Sequence, residues 1–351
     1  MFLQGTTTMT TSPDINRQII LASRPLGFPK TSDFYLEQAA VPEAGTGEML
    51  LRTEYLSLDP YVRLLQDENS RMGPSIPIGG TITGATVSRV VTSDVQGFSK
   101  GDHVVGLTGW QDFSVSDGTG MTNIGPDPEH PSWMLGVLGV TGLTAYGGMT
   151  AIGKPQPGET VVTPAATGAV GSIVGQMARI AGARAVGFAS TADKCRYAVE
   201  ELGFDACVDR LAPDMAERLA EACPDGIDVY FEMAGGKILK AVLPLLNDKA
   251  RIPLCGAASQ YNLSRKPEGP DTADDMMRLF QLKQVRIEGF LVMEAFADLI
   301  PEFTRTMTKW IGERRIRHRE QVFSRLEDAP QAFIQMLDGG NIGKSIVKVA
   351  A

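Results

Sequence analysis

The sequence has few residues of the kinds that build disulfide frameworks and metal sites. Its 351 residues include four cysteines and three histidines, and the first cysteine is Cys195. The cysteines form no CxxC pair, which argues against a disulfide framework and suits a reducing compartment. His103 and His130 have no partners at ligand spacing, and a catalytic zinc site needs such a cluster. We therefore predict a cytoplasmic protein without a metal.

Long apolar runs and an excess of basic charge are also missing. No apolar run reaches the length of about 18 residues that a membrane-spanning helix needs. The first residues, MFLQGTTTMTTSPD, lack the pattern of a signal peptide, and we predict a flexible arm over residues 1–15. The net charge of -8 disfavours binding to nucleic acid. The basic cluster at 313–320 is interpreted as the solvated face of a strand.

Hydrophobic patterning divides the chain into two kinds of segment. Residues 17 to about 135 contain short apolar runs, such as EMLLRTEYLSL and HVVGL, separated by turn residues. After residue 135, strand-like runs alternate with helix-like stretches, which predicts βαβ units and a parallel sheet. The last 50 residues predict helix, strand (RIRHRE), helix and strand (KSIVKVA). The length suits about two domains, and the fold class predicted is α/β.

A glycine-containing turn stands between the first such strand, ETVVT, and the helix after it. Ala166, Gly168 and Gly171 form an A-x-G-x-x-G pattern in the stretch TPAATGAVGSIVG. Gly168 would let the backbone approach a pyrophosphate, and Gly171 would let the helix pack close to the strand. The helix N-terminus would offer free N–H groups to the phosphates. The alternative is a strand–helix turn that binds nothing.

The end of the second strand bears on the choice of cofactor. In this fold, the residue about 20 positions after the glycines meets the adenosine ribose. The sequence there is FASTADK, with Ser190, Thr191 and Lys194 where an NAD enzyme would have an acidic residue. Hydroxyls and a lysine suit a 2′-phosphate, which favours NADP(H). The alternative makes Ser190 a helix N-cap.

Further motifs carry a resemblance to a known family. They include the turn GFSKGDHVVG and the runs LRTEYLSLDPYVR, GLTAYGGM, DGIDVYFEMAGG, CGAASQYN, EGFL and GGNIGKSIVKV. Together they resemble the medium-chain dehydrogenases and reductases, in particular the zinc-free double-bond reductase branch. That branch contains prostaglandin reductases, plant alkenal reductases and bacterial curcumin reductases. The resemblance spans residues 16 to about 350.

The resemblance implies a fold, an assembly and a set of cofactor contacts. It implies a GroES-like β-rich catalytic domain over 16–135 and 303–351, a Rossmann domain over 136–302, and a homodimer joined through the Rossmann sheet edge. Arg210 and Met233 stand where the family usually has tyrosine and asparagine. The implied cofactor-binding residues are Gly168, Ala169, Val170, Gly171, Ser190, Lys194, Arg210, Cys255, Gly256, Ala257, Ser259, Tyr261, Phe290, Leu291, Val292 and Asn341.

The implied reaction is reduction by NADPH of a carbon–carbon double bond conjugated to a carbonyl, in a small apolar substrate. A hydroxyl donor would stabilise the enolate that forms after hydride transfer. Tyr261 and Tyr55 are the candidates, because the family places tyrosines at both positions. Two alternatives stay open at this point: a quinone reductase that uses the same cofactor, and a non-catalytic protein that binds NADPH.

Overall fold

The computed structural model describes residues 15–70, 72–263 and 273–350. The predicted arm over 1–15 lies outside them, except for Ile15, which begins the first strand. None of the described helices is long and apolar enough to cross a bilayer. The strands are β1 (Ile15–Leu21), β2 (Phe34–Ala40), β3 (Met49–Ser57), β4 (Ala85–Ser93), β5 (His103–Leu107), β6 (Phe113–Ser116), β7 (Thr122–Gly125), β8 (Thr160–Thr163), β9 (Arg184–Ala189), β10 (Ala206–Asp209), β11 (Ile227–Tyr230), β12 (Leu246–Leu254), β13 (Arg286–Gly289), β14 (Glu320–Phe323) and β15 (Lys344–Lys348).

Most of the α-helices stand between the strands of the second half of the chain. The short α1 is the only one of them before residue 140 in the described part. The helices are α1 (Val62–Leu65), α2 (Val140–Gly147), α3 (Gly171–Ile180), α4 (Ala192–Glu200), α5 (Met215–Ala222), α6 (Gly236–Val242), α7 (Ala273–Lys283), α8 (Val292–Phe296), α9 (Ile300–Gly312) and α10 (Ala329–Leu337).

A six-stranded parallel sheet forms the centre of the second half. Its order is β10-β9-β8-β11-β12-β13, the order of a doubly wound dinucleotide-binding fold with its switch point between β8 and β11. The buried strand β8 pairs in parallel with β9 on one side and with β11 on the other. The predicted α/β fold class with a Rossmann sheet is confirmed.

A second, mostly antiparallel sheet holds the β-rich part of the chain. Its order is β14-β15-β3-β4-β5-β7, and β6 pairs with β3 beside it. The strand β15 comes from the C-terminal end of the chain and runs antiparallel to β3, with Ile346 opposite Ser57. The last strands therefore join the sheet that begins with β3, whereas β1 and β2 pair in a separate two-stranded sheet.

The predicted strand RIRHRE is wrong. The structure has no strand over 313–319, and β14 begins only at Glu320. The reason lies in the end of α9, where the N–H groups of Arg315 and Ile316 donate to Trp310 O at 2.8 and 3.2 Å. Arg314 has a left-handed φ of 56°. These N–H groups therefore bond within the helix end and do not pair with a neighbouring strand. The Ile316 side chain is buried.

The helix α3 packs against the sheet through residues without side-chain bulk. A Cβ on Gly175 would lie 2.0 Å from Phe204 Cζ, and one on Gly187 of β9 would lie 2.9 Å from Phe204 Cε1. Phe204 fills the space that both glycines leave. Phe303 and Met307 of α9 belong to the same apolar core, so the predicted domain boundary at 303 lies inside that helix.

We predict that Gly175→Ala lowers the free energy of unfolding by about 1–3 kcal/mol, because the new methyl group overpacks the core against Phe204. Gly312→Ala is the matched control, since a Cβ on Gly312 has no neighbour within 4 Å. Urea unfolding followed by circular dichroism measures both. Equal midpoints for the two variants would contradict the packing that we describe.

Candidate functional site

The predicted cofactor residues follow directly on the strands of the parallel sheet. Parallel strands end at one edge, and doubly wound folds bind their ligands in the crevice outside that edge. The fold therefore brings most of the predicted set together. The turn with Gly168 to Gly171 follows β8, Ser190 follows β9, Arg210 follows β10, Cys255 to Tyr261 follow β12, and Phe290 to Val292 follow β13.

The turn after β8 leaves no room for side chains at its second glycine. A Cβ on Gly171 would lie 2.4 Å from Ala165 O and 2.6 Å from Pro164 O. The helix α3 begins at this residue, and the first N–H groups of a helix have no intrahelical acceptor. The turn is thus a backbone cradle of the kind that receives a pyrophosphate. Gly168, with Ala169 and Val170 after it, forms the rim of this cradle.

Ser190, Lys194, Arg210 and Asn341 come together on the C-terminal segment 338–341. Lys194 Nζ donates to Gly339 O and to Asn341 O, both at 2.6 Å. Ser190 Oγ donates to Gly339 O at 3.2 Å, and Arg210 Nη2 donates to the carbonyl of residue 338 at 3.3 Å. Four residues that are far apart in the sequence therefore share one small region.

Two cations, Lys194 and Arg210, lie close together in this region. Lys194 is 8% exposed, and among the described residues neither Lys194 nor Arg210 forms an ion pair with a carboxylate. Burial, and then the nearby charge of Arg210, lower the pKa of Lys194. Placing two cations together is unfavourable unless an anion joins them, and a phosphate suits both. The residues present fit the 2′-phosphate of NADP(H).

The cap of α4 also differs from one expectation. Thr191, and not Ser190, is the N-cap residue, and its side chain accepts from Lys194 N at 3.3 Å. The interpretation of Ser190 as a helix cap is therefore wrong. Its hydroxyl instead lies beside Lys194, on the same carbonyl of Gly339.

The C-terminal segment also touches the pyrophosphate turn. Gly343 N donates to Thr167 O at 2.6 Å, and Gly343 forms a parallel bridge with Gly168. Asn341 Nδ2 donates to Gly343 O at 2.8 Å. Segment 338–343 therefore extends from Lys194 and Arg210 to the turn after β8.

Tyr261 lies in the turn that follows β12. It caps the short 3-10 helix Ala258–Gln260, and its hydroxyl lies over Gly256, where a Cβ would come within 2.9 Å of it. Burial raises the pKa of Tyr261. The phenol therefore stays protonated at neutral pH and can donate a hydrogen bond or a proton.

Tyr55 belongs to the β-rich sheet, whereas Tyr261 follows a strand of the parallel sheet. It lies on β3, opposite Val87 of β4 and Lys348 of β15, and packs in an apolar cluster with Leu135 and Ile346. No member of that cluster belongs to the turn with Tyr261. Burial, and then the charges of neighbouring carboxylates, raise the pKa of Tyr55.

Phe290, Leu291 and Val292 form the exit of β13 into α8. Phe290 N donates to Leu254 O at 3.1 Å, so this exit is attached to the end of β12. The Phe290 ring packs on Phe296 with centroids 4.8 Å apart. Leu291 is half exposed, and Val292 begins the helix.

Sequence reasoning missed Arg63, which connects the β-rich part to the turn with Tyr261. Arg63 is buried and donates to Pro25 O and Gly27 O at 3.3 and 3.0 Å. A Cβ on Gly27 would lie 3.4 Å from Asn262 O, the residue after Tyr261. The motif LDPYVR contains this arginine, but nothing in the motif indicates which loop it holds.

Sequence reasoning also missed Glu232, a carboxyl that is 3% exposed at the end of β11. Its Oε1 accepts from Ala234 N and Gly235 N at 2.6 and 2.8 Å. An acidic residue between a buried strand and a Gly-Gly pair is the signal that could have found it. Burial raises the pKa of this carboxyl.

No metal centre is found within the ranges that the structure describes. There, no three His, Cys, Asp or Glu side chains are grouped so as to hold an ion. His130 and His318 both pack on the Trp133 ring, with centroids 3.8 and 4.5 Å from it. His103 pairs with Glu54 at 3.1 Å.

Comparison with known proteins identifies the family. The family model for the "N-terminal domain of oxidoreductase" matches residues 17–124, and the one for "Zinc-binding dehydrogenase" matches residues 169–311. The chain is 49% identical over 335 residues to the NADPH-dependent curcumin reductase of Escherichia coli (strain K12), covering 95% of this chain and 97% of that protein. It is 37% identical over 345 residues to a 2-alkenal reductase (NADP(+)-dependent) of Nicotiana tabacum, covering 95% and 98%.

A solved structure supports the same assignment. CurA from Vibrio vulnificus in complex with NADPH has 45% sequence identity and a TM-score of 0.93, and the match covers 95% of this chain and 99% of that one. The agreement in sequence and in fold extends over both sheets. The chain therefore belongs to the zinc-free double-bond reductase branch of the medium-chain dehydrogenases and reductases.

Proposed function

We propose that the protein is an NADPH-dependent reductase of carbon–carbon double bonds conjugated to a carbonyl. Relatives that match over most of their length are named as NADPH-dependent reductases of such compounds. The observation that carries the proposal is the pair of cations Lys194 and Arg210 at the carboxyl edge of the Rossmann sheet, which has no carboxylate partner among the described residues. The division into domains and the cytoplasmic location are further predictions of the sequence.

The chain's own residues supply binding and transition-state stabilisation. When bound, NADPH supplies the hydride for the β-carbon of the enone or enal. Ser190, Lys194, Arg210 and Asn341 would hold its 2′-phosphate side, the turn after β8 would hold the pyrophosphate, and the turns after β12 and β13 would hold the nicotinamide half. Charge then develops on the substrate carbonyl oxygen, and a donor placed there lowers the barrier.

Tyr261 is the donor that we propose for that oxygen. Its neutral phenol stands in the turn that lines the cofactor crevice, beside a loop of the β-rich part. We propose Tyr55 as a second hydroxyl donor to the same substrate. No carboxylate pair or activated nucleophile is needed, because the electrons come from the cofactor and the enolate requires only stabilisation and a proton.

We predict that Tyr261→Phe lowers kcat on an enone by about 100-fold, the usual result of removing one oxyanion donor. Tyr55→Phe is expected to lower it by about tenfold, the value of one ordinary hydrogen bond. Steady-state rates at 340 nm measure both. Tyr146→Phe is the control: the buried Tyr146 donates to Glu302 at 2.8 Å, so the loss of this bond should reduce stability and leave kcat unchanged. A fully active Tyr261→Phe would contradict the assignment.

We predict that Lys194→Ala raises the KM for NADPH by about 10- to 100-fold, because it removes a charge-assisted hydrogen bond worth about 1.5–3 kcal/mol. The KM for NADH should stay within about twofold, since NADH has no 2′-phosphate to lose a partner. The exposed Lys240→Ala, on α6 of the same unit, is the control. An equal rise in the KM for NADPH and in the KM for NADH would show that Lys194 supports the fold and does not bind the phosphate.

We propose that the chain forms a homodimer through β13, the edge strand of the Rossmann sheet. All four residues of β13 are exposed, and Ile287 is 43% exposed. Leu282, just before the strand, and Met293, just after it, are 69% and 50% exposed. An apolar edge strand invites pairing with another strand. A second copy, related by a two-fold axis, would present the same strand.

Ile287→Asp tests this assembly. It places two like charges near the two-fold axis, so we expect a dimer to become a monomer in sedimentation velocity at micromolar concentration. Leu107→Asp is the control, because Leu107 is equally an exposed aliphatic residue on a strand, but in the other sheet. A wild-type monomer, or a dimer that survives Ile287→Asp, would contradict the proposal.

A further inference from the structure

Glu232 is a buried carboxyl at the switch point of the Rossmann sheet. It lies two residues after the end of β11, and ligands of doubly wound folds lie outside the strand ends at such a point. The carboxyl is 3% exposed. Within the described part of the chain, neither Glu232 Oε2 nor the Tyr230 hydroxyl that faces it has a hydrogen bond of good geometry.

The other carboxyl oxygen stabilises an unusual backbone. Oε1 accepts from Ala234 N and Gly235 N. Gly235 and Gly236 have left-handed φ values of 71° and 62°. A Cβ on Gly236 would lie 2.8 Å from Ser259 Oγ. Without an acceptor, the two buried N–H groups would each cost about 1–3 kcal/mol, so the turn over 232–236 depends on this oxygen.

The backbone over 232–236 also supports the turn that contains Tyr261. Cys255 N donates to Glu232 O at 3.0 Å, Ala258 N to Met233 O at 2.9 Å, and Ser259 N to Ala234 O at 3.0 Å. These bonds continue the parallel bridge between Glu232 and Leu254. The position of the Tyr261 hydroxyl therefore follows from the path of the backbone beside Glu232.

We propose that Glu232 is a positioning residue of the reduction site, which holds the turn over 255–261 and the Tyr261 hydroxyl in place through the carbonyls of Met233 and Ala234. The proposal rests on the proposed function, since it gives the Tyr261 hydroxyl a role in reduction. In this proposal Glu232 acts through the backbone and contacts neither the reacting atoms nor the phosphates. Its loss should therefore affect the chemical step more than the binding of NADPH.

Glu232→Ala tests the proposal, with Glu232→Gln as the conservative variant. We expect Glu232→Ala to lower kcat on an enone at least about tenfold. The Kd for NADPH, measured by nucleotide fluorescence, should change less than about threefold, because the residues after β8, β9 and β10 hold the phosphates. Glu232→Gln keeps an oxygen for both N–H groups and should retain kcat within about threefold.

Asp228→Ala is the matched control for loss of stability. Asp228 lies near the start of β11, the strand that precedes Glu232, and also stabilises a neighbouring backbone. Its Oδ2 accepts from Thr160 N at 2.8 Å, and its Oδ1 accepts from Asn247 Nδ2 at 2.9 Å. This variant should lose stability as Glu232→Ala does, but it should keep the wild-type kcat.

The pH dependence of stability supplies a further readout. Burial raises the pKa of Glu232 in the folded state, and the titratable groups that face it, Tyr230 and Cys255, have pKa values raised in the same way. Stability from Glu232 is present below its unfolded pKa of about 4.3 and is lost as pH rises through the folded pKa. Glu232→Gln does not titrate, so its Tm should rise relative to that of the wild type as the pH increases above the unfolded pKa of about 4.3.

Hydrogen exchange separates failure of this proposal from failure of the proposed function. Glu232→Ala should speed amide exchange in a peptide covering 253–262 at least about tenfold, and Asp228→Ala should not. Unchanged exchange there, or wild-type kcat in Glu232→Ala on an enone that the wild type reduces, would overturn the proposal. If the wild type reduces no enone, the proposed function fails, and the exchange result alone decides whether Glu232 holds the turn.

Discussion

The parallel pairing of β8 with β9 and with β11 determines where the functional side chains of this enzyme stand. Because the strands run in one direction, the residues that follow them collect at one edge. Nothing in the individual turns would otherwise bring Lys194 near Arg210, or Glu232 near Cys255. The close packing of α3 on this sheet, through Gly171 and Gly175, keeps that edge open to a phosphate.

The C-terminal segment 338–343 connects the region of Lys194 and Arg210 with the turn after β8. Its carbonyls accept from Lys194 and Arg210, and Gly343 pairs with Thr167 and Gly168 of the pyrophosphate turn. The segment continues into β15 of the other sheet. The same backbone therefore connects the proposed phosphate site with the β-rich sheet.

Local pattern predicted most of the Rossmann sheet, because buried strands and helices repeat with clear periods. It failed at 313–319, where the chain alternates like a strand but closes the end of α9 onto Trp310. The residues that act over long sequence distances were not predictable in this way. Arg63 and Glu232 bind backbone groups of other segments, and the sequence does not say which segments these are. Lys194 and Tyr261, by contrast, stand in motifs shared with the family.

The most direct test of the account follows the hydride itself. NADPH carrying deuterium at C4, in each of its two stereoisomers, would be incubated with the protein and an enone, and the product analysed by NMR. We expect one stereoisomer to place deuterium on the former β-carbon of a saturated ketone. Deuterium on the carbonyl carbon of an allylic alcohol, or transfer only to quinones, would contradict the account.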